Sequence, residues 1–104
     1  KPRILFDRQL AIDYLERAVY WNGDEIPLLK KEFDILEVLS QNPGQVFDKE
    51  RLYEAAWGLD GSGNNSVVAE HIRKIRAKFA AAGAKQYIET VWGAGYKWKK
   101  SSTN

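Results

Sequence analysis

The spacing of hydrophobic positions divides the chain into segments of different period. Between residues 4 and 28 it favours short strands. Leu10, Ile12 and Tyr14 alternate with Ala11 and Asp13, the two-residue period of a pleated strand. Ala18 to Trp21 is aromatic and β-branched. Asn22-Gly23 then supplies the dipeptide of a two-residue hairpin turn, whose central positions need positive φ. Asp24 to Leu28 returns along it, with Pro27 suited only to an edge or a strand end.

From residue 30 the period becomes helical. Phe33, Ile35, Leu36, Val38 and Leu39 cover most of a helix over residues 30–41, leaving a narrow polar stripe of Asp34, Glu37 and Gln41. Such a helix is wedged between other elements. Asn42-Pro43-Gly44 ends it. Val46-Phe47 reads as a brief strand. Asp48 reads as the N-cap of a second helix reaching Trp57, with Phe47 and Leu52 as its hydrophobic staple. Residues 58–64 are turn formers. A third helix, about 66–82, stops at Gly83. Val68, Ile72, Ile75 and Phe79 form its core stripe, Glu70, Arg73, Lys74 and Ala77 lie opposite, and Ser66 stands at its start. Arg76 and Lys78 flank the stripe, Lys78 on the solvated side. Two last strands span 87–92 and 96–99, with Gly93-Ala94-Gly95 as their turn.

The 104 residues suit one domain, expected over 1–100 with a flexible tail at 101–104. A composition of 44% hydrophobic and 29% charged residues is that of a globular protein. There is no cysteine and a single histidine, His71, which removes disulfides, thiolate metal sites, a cysteine nucleophile and multi-histidine metal centres. No cofactor is implied. No apolar run is long enough to cross a membrane, and the opening residues are too polar for a signal peptide. With no export signal and no cysteine, the expected compartment is a reducing cytoplasmic interior. The formal charge of +2 conceals an asymmetry: residues 66–104 carry eight basic and two acidic side chains. That excess suits an anionic partner.

Two helices joined by a short loop, the second basic on its outer face, form a helix-turn-helix pattern, and a hairpin directly after it forms a wing. A helix of this kind fits the major groove of duplex DNA. The glycines at 93 and 95 do not make a nucleotide cradle, because no helix follows them. Asp48/Glu50 and Asp24/Glu25 read as cap, turn and surface residues, not as a hydrolase's acid pair. The expectation is therefore a non-enzymatic α+β domain.

The motifs resemble those of the OmpR/PhoB-type response-regulator effector domains. The stretch Leu28 to Leu36 is similar to that family's Leu-Thr-x-x-Glu-Phe-x-x-Leu. Residues 42–47 and 52–58 resemble its turn and second helix. His71-Ile72-Arg73-Lys74-Ile75-Arg76-Ala77-Lys78-Phe79 resembles His-Ile-x-x-Leu-Arg-x-Lys-Leu, and Ile88 to Tyr96 resembles Ile-x-Thr-Val-Arg-Gly-x-Gly-Tyr. The resemblance implies a winged helix-turn-helix with a four-stranded antiparallel N-terminal sheet, three helices and a C-terminal hairpin wing. It implies sequence-specific binding of double-stranded DNA, usually by two copies on a repeated site. It also implies a receiver domain of the same protein, which this chain does not contain.

The residues expected at DNA are Ser66, Glu70, His71, Arg73, Lys74, Arg76 and Ala77 on the recognition helix, with Trp57 beside it. Thr90, Trp92, Lys97 and Lys99 are expected from the wing at 87–99. The loop Leu59, Asp60, Gly61, Ser62, Gly63, Asn64 and Asn65 is expected to be exposed and to meet RNA polymerase. Leu29 stands where the family has the capping threonine, so Glu32 is left to reach back to the backbone. Trp92 replaces the wing arginine. Tyr96 and Trp98 are expected to pack on the third helix, leaving Lys97 and Lys99 on the other face. The alternative reading is a winged-helix module for protein–protein docking, separable by a duplex titration at low salt.

Overall fold

The computed structural model describes residues 3–58, 61 and 63–100. The tail at 101–104 lies outside them. The elements run β1 (Arg3–Phe6), β2 (Leu10–Asp13), β3 (Ala18–Trp21), β4 (Asp24–Ile26), α1 (Lys30–Ser40), α2 (Lys49–Trp57), α3 (Ser66–Ala81), β5 (Ile88–Val91) and β6 (Gly95–Trp98). β1 to β4 form an antiparallel sheet in sequence order, and β5 and β6 form a separate hairpin.

Leu10 pairs with Trp21 and Ile12 with Val19, while Val19 pairs with Ile26 on its other side. The turn joining β3 to β4 puts Asn22 at φ 52° and Gly23 at φ 90°, the left-handed pair that this dipeptide tolerates. The alternation expected in β2 does not separate a wet face from a dry one, because Leu10, Ala11, Ile12 and Asp13 are all buried. Asp13 is tolerated there because its Oδ1 accepts from the backbone N–H of Leu15 (3.1 Å) and Glu16 (2.9 Å) in the following turn.

The sheet's apolar residues share one core with Phe33, Ile35, Leu36 and Leu39 of α1, with Leu52 of α2, and with Val68, Ile72, Ile75 and Phe79 of α3. Glu32 sits inside this core with no exposed surface. Its Oε1 accepts from the Leu29 N–H at 2.8 Å, which caps α1 in place of a hydroxyl, and from Lys78 Nζ at 2.6 Å. Lys78 is thus not the solvated side chain that its helical position suggested. Packing of α3 across α1 brings a carboxylate from 46 residues away beneath it.

Gly44 turns the chain after α1 at φ 85°, and its N–H donates to Trp98 O at 2.9 Å. The expected strand at Val46-Phe47 shrinks to one bridge, in which Phe47 and Tyr96 exchange backbone hydrogen bonds of 2.8 and 2.9 Å. Gly95 has no room for a side chain there, since a Cβ would collide with the Phe47 carbonyl oxygen. Asp48 then caps α2 by accepting from Arg51 N–H at 2.8 Å.

Candidate nucleic-acid interface

The third helix is oriented by its apolar stripe. Val68, Ile72, Ile75 and Phe79 are each 2% exposed or less, which turns Ser66, Glu70, Arg73, Lys74 and Ala77 outward. At 16 residues the helix is about 24 Å long. Its start is secured from the preceding loop, where Asn64 Oδ1 accepts from the Ser66 N–H at 2.8 Å.

On the outward face Arg73 and Glu70 are paired. Arg73 Nε lies 3.1 Å from Glu70 Oε1, and Nη2 lies 2.6 Å from Oε2. The guanidinium holds the Glu70 carboxyl below its ordinary range, and the carboxylate in turn raises the arginine. Lys74 is exposed beside them.

His71 is half-buried. Its Nδ1 donates to Val67 O at 2.8 Å, which leaves Nε2 as the polar edge of the ring. The imidazole stands edge-on to Trp57, 5.2 Å between centroids, and Trp57 is stacked on Tyr53 at 4.9 Å. Lys31 lies over the Trp57 ring at 5.3 Å. Trp57 is thus half-buried in an aromatic stack, outside the deep core.

Arg76 joins helix to wing. Its Nη2 donates to Ile88 O and to Thr90 Oγ1, both at 2.9 Å, and the guanidinium lies over the Tyr96 ring at 5.8 Å. Among the described residues its partners are thus a carbonyl, a hydroxyl and an aromatic face, and none is a carboxylate. The sequence places Arg76 at the edge of the stripe but cannot indicate that a hairpin twelve residues on would supply its acceptors.

In the hairpin, Tyr96 and Trp98 are buried and Lys97 and Lys99 face the other way. The expected packing on α3 is only part of the arrangement. Tyr87 meets Phe79 of α3, Trp98 stacks on Tyr87 at 5.2 Å, and β6 also contacts α1. Lys97 lies 3.9 Å from Glu89 across the hairpin, so its charge is partly offset. The turn closes with Ala94 N–H donating to Val91 O at 2.9 Å and Gly93 at φ 82°. Trp92 projects from this turn, 90% exposed.

Between the wing tip and the start of α2 runs an open groove of about 500 Å³, lined by Lys49, Asn65, Thr90 and Trp92 among others. Lys49 was not singled out by the sequence, although the N-cap at Asp48 places it at the first helical position. Asp48 and Glu50 line the same groove, so its potential is mixed.

At Gly61 and Gly63 the chain before α3 is held against α2. Gly63 N–H donates to the Tyr53 hydroxyl at 2.7 Å, and a Cβ at Gly61 would meet the Tyr53 ring at 2.8 Å. Asn64 and Asn65 are exposed. Leu59, Asp60 and Ser62 lie outside the described residues. Among the described residues no cluster suited to a metal is present, and no helix is long and apolar enough to cross a membrane.

Residues 23–98 match the family described as transcriptional regulatory protein, C terminal. The chain is 41% identical over 83 residues to the transcriptional regulatory protein SpaR of Bacillus subtilis, a match covering 80% of this chain and 37% of SpaR. The fold superposes on the response regulator DrrB of Thermotoga maritima, an OmpR/PhoB homologue, with TM-score 0.82 and 35% identity, covering 96% of this chain and 45% of that one. It superposes on the Klebsiella pneumoniae RstA DNA-binding domain, solved in complex with the RstA box, with TM-score 0.80 and 29% identity, covering 95% and 98% of the two chains. The chain thus spans less than half the length of the curated relatives it matches.

Proposed function

The chain belongs to the family of C-terminal domains of transcriptional regulatory proteins, and from that premise we propose that it binds double-stranded DNA as the effector domain of a two-component response regulator. The observation that carries this reading is the outward face of α3, where Arg73 and Lys74 stand opposite a fully packed stripe, with the wing clamped beside them by Arg76. A helix so mounted enters a major groove about 12 Å wide side-on, and Ser66, Glu70, Arg73 and Ala77 then face base edges. Lys74, Lys97 and Lys99 serve phosphates. Phosphate contacts set register, and base contacts set sequence. His71 Nε2 and the half-buried ring of Trp57 flank the helix, where a phosphate can be met. The loop at 59–65 would adjoin RNA polymerase, and two copies would occupy a repeated site. A receiver domain on the same protein would govern that pairing. The bacterial cytoplasm is the compartment in which such a domain meets chromosomal DNA.

The reading is tested by titrating random duplex into the domain across a salt series. With four to six phosphates neutralised per copy, the slope of log K against log salt is expected at about −4 to −5. A slope near zero would make the domain a protein-docking module instead. Selection from random duplexes would then give the operator.

A further inference from the structure

Glu70 is the one acidic residue of α3, and it stands on the face assigned to DNA. A carboxylate there repels phosphate, so it weakens every duplex complex unless it does something else. It is not there for stability: both partners of its ion pair are half or more exposed, and exposed pairs contribute little.

The geometry indicates what else it does. Glu70 takes the side edge of the Arg73 guanidinium, Nε and Nη2, with its two oxygens at 3.1 and 2.6 Å. A guanidinium has five N–H groups in one plane. With the side edge occupied, the end edge remains: one N–H on each terminal nitrogen, parallel and directed away from Glu70. That fork matches guanine O6 and N7. The four-bond side chain of arginine would otherwise sample many rotamers, most of them reaching phosphates as readily as a base.

Building on the DNA-binding reading above, we propose that Glu70 is a positioning residue for sequence specificity. It holds Arg73 in the plane and direction that read a guanine end-on, and it cancels the charge with which Arg73 would otherwise grip any phosphate. The pair as a unit carries no net charge, so it adds little to sequence-independent affinity. Discrimination rises because binding to wrong sequences falls.

The test compares the wild-type chain with Glu70→Gln on three duplexes across a salt series: one selected from a random pool, one scrambled, and the selected one with 7-deazaguanine, which lacks N7. For Glu70→Gln, the scrambled duplex is expected to bind several-fold tighter with a salt slope steeper by up to about one. The selected-to-scrambled ratio is expected to fall about tenfold, and 7-deazaguanine is expected to weaken the wild type about tenfold and the variant much less. In the DNA-free protein, the Arg73 Nε–H resonance is expected to exchange slowly with water, and fast in the variant. An unchanged ratio, or a parallel loss on both duplexes, overturns the positioning role. So does an Nε–H unaffected by the substitution. If the wild type binds no duplex with salt sensitivity, it is the DNA-binding reading itself that falls, which the wild-type arm reports separately.

Discussion

Replacing Lys78 by methionine isolates the buried carboxylate of Glu32 while keeping the length of the side chain. Glu32 has no exposed surface, and its Oε1 is held by two donors, the Leu29 N–H at 2.8 Å and Lys78 Nζ at 2.6 Å. Its Oε2 has no hydrogen-bond partner among the described residues. Removing the cation leaves one neutral donor on a buried anion. Breaking a fully buried pair costs about 3–5 kcal/mol. The Lys78 side chain is 34% exposed, so water reaches the ammonium and screens the pair, and we discount the loss to about 2–3 kcal/mol. For a domain of this size that lowers Tm by roughly 10–20 °C. Thermal unfolding by circular dichroism measures it. In a Glu32→Gln background the same Lys78→Met change is expected to cost less than about 1 kcal/mol, because no buried charge remains to be orphaned. The salt slope of DNA binding should not change, since the lysine's charge is already neutralised. A Tm loss under about 3 °C in the single variant, or a slope shallower by one unit, would refute the argument and return Lys78 to the solvated face.

Arg76→Ala removes both wing anchors, the bonds to Ile88 O and Thr90 Oγ1, and is expected to cost about 1–3 kcal/mol while weakening every duplex similarly, as measured by melting and by titration on selected and scrambled DNA. Trp92 is 90% exposed while Trp21 and Trp98 are buried and Trp57 is half-buried, so acrylamide quenching should fall mainly at Trp92 when duplex binds; quenching unchanged on saturation would place the wing tip outside the complex. Trp92→Arg should tighten binding most at A·T-rich flanks and steepen the salt slope, which parallel titrations on A·T- and G·C-flanked sites decide. Gly95→Ala should unfold the hairpin or the domain, since the new Cβ meets the Phe47 carbonyl at a φ of 142°, and a Tm within a few degrees of wild type would contradict that packing.

Much of this domain is determined locally. The helical period of α1 to α3, the left-handed dipeptide Asn22-Gly23, the Asp48 cap and the Val68–Ile72–Ile75–Phe79 stripe are properties of neighbours in the chain, and each appears where the pattern puts it. The direction of Arg73 and Lys74 follows from the same stripe, because a helix with one apolar side has only one way to face a core. What lay beyond the sequence are pairings across long separations. Lys78 finds Glu32 only once α3 crosses α1, Arg76 acquires the wing's carbonyl and hydroxyl only when the hairpin folds back, and Gly61 and Gly63 settle on Tyr53 only because α2 turns its ring toward them. A flanking basic residue reads the same in sequence whether it ends in water, on a phosphate or against a buried carboxylate. The energy that separates these outcomes comes from desolvation and from acceptors supplied elsewhere in the fold, and only the tertiary structure brings those acceptors within reach.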